Sequence, residues 1–135
     1  MNILMTSWRD RKNPAAGGAE VLTHEVARRL KDQGHKITLM SGRFTGAKAQ
    51  EYDDGVRILR PAYFSPTNAI SYLRWLDFLF ATLAAYKREE NGIDVVIEHV
   101  HGLPTLISVF AKKPVLLFPH EVANDIWFLE VPFPG

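Results

Sequence analysis

The chain has 135 residues, enough for one domain with a sizeable core and too few for two full ones. With 47% hydrophobic and 23% charged residues it is no disordered segment, and a net charge of +1 supplies no bulk field for nucleic acid or an anionic membrane. Cysteine is absent, which excludes a disulfide framework and thiolate chemistry, and no basic region precedes Ile3-Leu4-Met5, so the start is not a signal peptide.

Strand and helix patterns alternate along the chain. Residues 2–7 carry the apolar run Ile3-Leu4-Met5, a first strand. A polar loop follows, and Leu22, Val26 and Leu30 mark a helix that stops at Gly34, where a left-handed cap is wanted. Residues 36–41 form a second strand around Ile37 and Leu39, and the polar, glycine-spaced stretch 43–55 reads as loop. Residues 56–60 form a third strand, diluted by Arg57 and Arg60 and therefore suited to an edge. The spacing predicts a long helix over 66–91, with Ser65 as N-cap and Gly92 as stop. Its apolar positions Ile70, Leu73, Leu76, Leu79, Phe80 and Leu83 define a buried face, which Trp75 and Phe78 widen. Arg74 and Asp77 interrupt this stretch, so it does not span a membrane; contact with a membrane surface is the alternative to burial. A fourth strand covers 94–98, a short helix 104–110, a fifth strand 115–118 and a final helix 121–129.

This alternation predicts an α/β fold, a three-layer Rossmann-like domain with a doubly wound parallel sheet in strand order 3-2-1-4-5. The fifth strand, Val115-Leu116-Leu117-Phe118, is wholly apolar yet falls at an edge, so a further strand is expected beyond it in a longer protein. The chain is expected to lie in the cytoplasm, with the 66–91 helix as the segment for any peripheral membrane contact.

Ligands of open α/β sheets bind beyond the carboxyl ends of the strands. That rule selects the loop from Trp8 to Glu20, the loop from His99 to Pro104, and the segment from Pro119 to Asp125. Gly17-Gly18 opens the first helix, where free N–H groups and the helix dipole attract an anion; Arg9, Arg11 and Lys12 add mobile positive charge. Neither a Gly-x-Gly-x-x-Gly fingerprint nor a Walker loop is present, and a plain turn is the bland alternative. Glu20 is placed to cap its helix. His99, His101 and His120, with Glu98, Glu121 and Asp125, invite a zinc reading, but His120-Glu121 lacks the second histidine of a zincin helix, so no metal is expected. His120 stands apart because an apolar strand delivers it to the ligand-binding edge.

The runs Met1-Asn2-Ile3-Leu4-Met5, Gly17-Gly18-Ala19-Glu20, Leu30 to Ile37, Asp94 to Ile97, Pro114 to Glu121 and Ile126 to Pro134 together resemble the N-terminal half of GT-B glycosyltransferases of the glycogen-synthase-like group, family 4. The likeness covers essentially the whole chain. It implies retaining transfer of a sugar from a nucleotide-sugar donor across a cleft between two Rossmann-like domains. Residues 1–135 would be the N-terminal, acceptor-side domain, and a C-terminal nucleotide-binding domain, absent from this chain, would be its partner. Matched by residue, Gly17 and Gly18 correspond to the loop facing the donor diphosphate. His120 corresponds to the catalytic histidine beside the transferred sugar. Arg9, Lys12, His99, His101, Gly102 and Glu121 are candidates for contacts to sugar or acceptor, itself a sugar or lipid-linked. No cofactor or metal is implied, because the departing phosphate is thought to accept the acceptor's proton. The chain alone is expected to be inactive. Two other classes compete: a non-catalytic module binding a phosphorylated metabolite or glycan through the same loop, and, more weakly, a metal-dependent hydrolase.

Overall fold

The computed structural model describes residues 1–63, 70–101 and 104–121. Six strands, β1 (Asn2–Thr6), β2 (Lys36–Met40), β3 (Gln50–Asp53), β4 (Val56–Leu59), β5 (Val95–Val100) and β6 (Val115–Pro119), form one sheet in the order β3-β4-β2-β1-β5-β6. Among the described residues three α-helices accompany them, α1 (Gly18–Asp32), α2 (Ile70–Glu89) and the single-turn α3 (Ile107–Phe110), with a 3-10 turn at Glu90–Gly92 closing α2. The five strands read from apolar runs are parallel and take the expected order.

Residues 50–53 are not loop. They form β3, antiparallel to β4, so β4 is not an edge. The hairpin turn is Asp54-Gly55, both with positive φ (50° and 80°), the two-residue geometry whose twist matches that of paired strands. The φ of Gly55 favours glycine there, and a Cβ would also lie 2.7 Å from Lys31 Cδ, so the lysine side chain would have to move. The strand Gln-Glu-Tyr-Asp is polar because it forms the sheet's outer margin, so no apolar run announces it.

Alternation along the strands sends successive side chains to opposite faces. Ile3 and Met5 of β1, Ile37 and Leu39 of β2, Val56 and Ile58 of β4, and Ile97 of β5 pack with Ala27, Val26 and Leu30 of α1. Leu4, Met40 and Val96 pack on the other face with Ala85 and Tyr86 of α2 and Ile107 of α3. Both faces of the central strands are therefore covered, which is why they read as unbroken apolar runs. At the far margin β6 leaves Leu116 and Leu117 more than half exposed, at 55% and 56%.

Two helices orient differently from expectation. Leu22 of α1 is exposed; the inward face is Glu20, Thr23, His24 and Ala27, at the same helical spacing but mostly polar. In α2, Leu76 and Phe80 are exposed, and Phe78, Leu79, Thr82, Ala85 and Tyr86 are buried. That helix is apolar around most of its circumference, so period alone does not choose the stripe; Ala85 and Tyr86 are the ones that join the buried core on this face of the sheet. No helix among the described residues is long and apolar enough to cross a membrane. Gly34, with φ of 92°, ends α1 as expected, and the His35 and Gly34 amides donate to the Leu30 and Lys31 carbonyls. Ser65, Pro66 and the expected helix 121–129 beyond its first residue lie outside the described residues.

One buried ion pair fixes the strand ends. Arg60, fully buried just after β4, makes a two-pronged contact to Asp10 at 2.7 and 2.9 Å, and it also reaches Glu51 and the Lys48 carbonyl. Ser41 and the Lys12 amide donate to the same Asp10 carboxylate. Burial opposes its ionisation, yet the hydrogen bonds from Arg60 and Ser41 hold Asp10 below the usual carboxylate range. Replacing Arg60 by Met strands a buried carboxylate, and we expect a loss of about 3–5 kcal/mol in urea unfolding. Asp10→Asn together with Arg60→Met should be milder than the sum of the two single changes; strict additivity would mean that the pair is not coupled.

Candidate functional site

The carboxyl ends of β1, β5 and β6 meet the N-terminal half of α1. The connecting segment after β1 is built by its own polar groups: Asn13 Oδ1 accepts from the Ala15 amide at 2.9 Å, and the Asn13 carbonyl accepts from Ala16. Gly17 is the N-cap of α1, with extended backbone (φ −129°, ψ −155°). It has no hydroxyl or carboxylate of its own to cap with, and Glu20 acts instead, its Oε2 accepting from the Gly17 amide at 2.6 Å. The Gly17 N–H is thereby occupied. The amides of Gly18, Ala19 and Glu20 begin the helix without intrahelical acceptors, so they are the donors at this end. A Cβ at Gly18 would meet nothing within 4 Å, and one at Gly17 would meet only Glu20 Oε2 at 3.7 Å. Packing within the domain therefore does not demand glycine at either position.

The cations upstream are tied down, contrary to the expectation of mobile charge. Arg9 Nε lies 3.2 Å from buried Glu20, Arg11 makes a forked contact to Asp53 and reaches Asp54, and Lys12 lies 2.7 Å from Glu51. The physical reason is β3, which brings Glu51, Asp53 and Asp54 alongside this loop.

The histidines converge because of strand alternation. Ile97 and Phe118 face α1, and two residues further on each strand so do His99 and His120. His99 pairs in register with Phe118, and the His120 amide donates to the Val100 carbonyl. The imidazoles of His99 and His120 stack at 5.1 Å, with His99 Nδ1 2.9 Å from His120 Nε2. Thr23 of α1 places its hydroxyl 3.2 Å from each of these nitrogens. The His101 ring stands edge-on to His120 at 6.4 Å, near Glu121 (3.8 Å) and against Trp8. Gly102 lies outside the described residues.

Burial, then the neighbouring His120, pushes His99 down to about 4; burial and the proximity of His101 lower His120 as well, opposed by Glu20 and Glu121. Both rings are neutral near pH 7. They offer hydrogen bonds to a polar, uncharged ligand.

Two positioning groups carry little sequence signal. Thr23 is an ordinary helix residue until α1 is turned inward on its polar face. Glu98 points to the opposite face of β5, where it accepts from Thr105 (2.8 Å) and the Ser108 amide (3.0 Å), fixing the segment that leads from the site into α3. Among the described residues, the three potential metal ligands that converge are His24, Asp53 and Asp54, away from His120, and Arg11 already bonds both carboxylates.

A mostly parallel sheet whose central strands are covered on both faces, with a helix N-terminus and a histidine pair at its carboxyl edge, defines a Rossmann-like domain. Residues 16–132 match the model of Glycosyltransferase Family 4, and the chain belongs to that family. The fold is similar to sucrose-phosphate synthase from Thermosynechococcus elongatus, with a TM-score of 0.62 at 13% identity over 98% of this chain. The match spans 36% of that protein's chain. A search of curated protein sequences finds no match.

Acid should weaken the fold through His99. The unfolded ring binds a proton near pH 6.5 and the folded ring only near 4, so stability is full above 6.5 and falls as the pH drops towards 4, on the order of 3 kcal/mol. Urea midpoints at pH 7.5 and 4.5 measure this. A His99→Phe variant should show a clearly smaller drop; an identical drop would mean that the ring does not titrate in that window.

Proposed function

We propose that this chain is the N-terminal, acceptor-side domain of a retaining glycosyltransferase that uses a nucleotide-sugar donor. The observation that carries this reading is the juxtaposition made by α1. Its first turn presents the amides of Gly18, Ala19 and Glu20, which have no intrahelical acceptors, and its second turn holds, through Thr23, His99 of β5 and His120 just after β6. Two features a hundred residues apart in the chain thus share one helix and one sheet edge. The glycines fit a close approach by the donor's diphosphate, since neither is demanded by packing and a Cβ at Gly18 would stand in open space. Gly18, Ala19 and Glu20 supply the backbone donors; Arg9 and Lys12, already paired, are secondary.

In this reading His120 hydrogen-bonds a hydroxyl of the transferred sugar and stabilises the oxocarbenium-like centre by position. Its neutrality suits a hydroxyl partner. The departing phosphate takes the acceptor's proton, so the domain needs neither a general base nor a metal. His101 and Glu121, at the rim of the same cluster, are placed for the acceptor. A second GT-B domain supplies most of the nucleotide contacts. Within this chain Ser41-Gly42-Arg43 stands after β2, where a ribose-binding carboxylate would be expected, and the Ser41 hydroxyl is committed to Asp10.

Two measurements follow. A Gly18→Val change should leave the fold intact and lower transfer by the full-length enzyme at least about tenfold, roughly 1.4 kcal/mol of transition-state stabilisation. Unaltered turnover in a folded variant would remove the loop from the mechanism. Calorimetry of the isolated chain with uridine-, guanosine- and adenosine-diphosphate sugars should find millimolar or weaker binding. A helix N-terminus contributes up to about 2 kcal/mol to an anion, whereas micromolar affinity requires about 8. Micromolar binding would identify a self-sufficient binding module instead.

A further inference from the structure

The contact between His99 and His120 needs one proton between two ring nitrogens, and its location determines what His120 offers a ligand. If His120 donated from Nε2, His99 would carry its own proton on Nε2, a buried atom with no hydrogen-bond partner among the described residues. If His99 donates from Nδ1, that same buried Nε2 holds only a lone pair. An orphaned buried N–H is the rarer defect in folded proteins, and a second proton on His99 is opposed by its burial. The Thr23 hydroxyl, 3.2 Å from both nitrogens, can serve either arrangement and follows the one that the buried Nε2 selects. With the His99 proton on Nδ1, it accepts a share of that N–H and donates its own proton to His120 Nε2.

We propose that His99 and Thr23 are positioning residues that lock His120 in its Nδ1–H tautomer, so that the ring meets its ligand as a hydrogen-bond donor. Two donors then converge on His120 Nε2, which leaves that atom closed to proton transfer. Nδ1, the ring's other polar atom, has no partner among the described residues. A neutral N–H donor fits a hydroxyl oxygen of an uncharged sugar ring. That last step rests on the sugar-facing reading of His120; the tautomer itself does not.

Long-range proton–nitrogen correlation spectra of the chain labelled with nitrogen-15 histidine decide the tautomer at neutral pH, with the His120 signals assigned by their loss in His120→Asn. The expected pattern is a pyrrole-type resonance at His120 Nδ1 and a pyridine-type resonance at Nε2. The reverse pattern in the unaltered chain overturns the proposal, whatever the variants do. His99→Asn keeps an N–H donor close to the Nδ1 position and should preserve the pattern. His99→Leu removes it and should shift His120 towards the Nε2–H form. In the full-length enzyme His99→Leu should lower kcat/KM about tenfold, with most of the loss recovered in His99→Asn, an outcome that mere packing would not produce. An Nδ1–H signature together with unchanged turnover in His99→Leu would uphold the lock and overturn the sugar-facing role of His120.

Discussion

The buried pair of Asp10 and Arg60 is the constraint on which the carboxyl end of the sheet depends. Asp10 follows β1, Arg60 follows β4, and Ser41, which donates to the same carboxylate, follows β2. Three strand ends are thus tied to one carboxylate. Because Asp10 also accepts from the Lys12 amide, the pair sets the course of the chain towards Gly17 and the start of α1. Such a pair gains little net stability over an apolar replacement, since desolvation offsets most of the attraction; what it supplies here is geometry.

From that anchored start, α1 acts as the organiser of the site. Its inward face is apolar only from Ala27 onward, where it covers the core of the sheet. Nearer its N-terminus the same stripe is Glu20, Thr23 and His24, each buried and each hydrogen-bonded: to the Gly17 amide, to the two strand-end imidazoles, and to Asp54. The polar half of the stripe lies over the carboxyl ends of the strands, where the apolar core gives out. Those side chains are met by Arg9 and the Gly17 amide, by the strand-end imidazoles and by Asp54 of the β3–β4 turn; His24 Nδ1 is the atom of the stripe left without a partner among the described residues. The price in desolvation is met at the end of the sheet where a ligand would be received.

Much of this was legible in the residues themselves. The runs Ile3-Leu4-Met5, Val95-Val96-Ile97 and Val115 to Phe118 name parallel strands, the first two buried and the third at the margin, Gly34 stops α1, and together they determine the strand order of the central sheet. The same logic carries His120 to the carboxyl end of the sheet, because a strand of known direction ends there. What escaped was polar or local. Asp54-Gly55 is a strong hairpin signal, but the strand before it is hydrophilic. Leu22 and Phe80 sit at helical spacing with buried residues and yet face outward.

The sequence by itself determined the fold class, the sheet's direction and the end of the sheet where the histidines gather, because apolar runs, periodicity and glycine stops are local properties. Tertiary structure alone decided which stripe of each helix turns inward, since that depends on the shape of the sheet it meets. It also decided the partnership of Thr23, His99 and His120, three residues from three elements whose hydrogen bonds exist only once β5, β6 and α1 are packed together. And it decided that Arg9, Arg11 and Lys12 are neutralised, because the acidic strand that binds most of them pairs with β4 only after the chain has folded back.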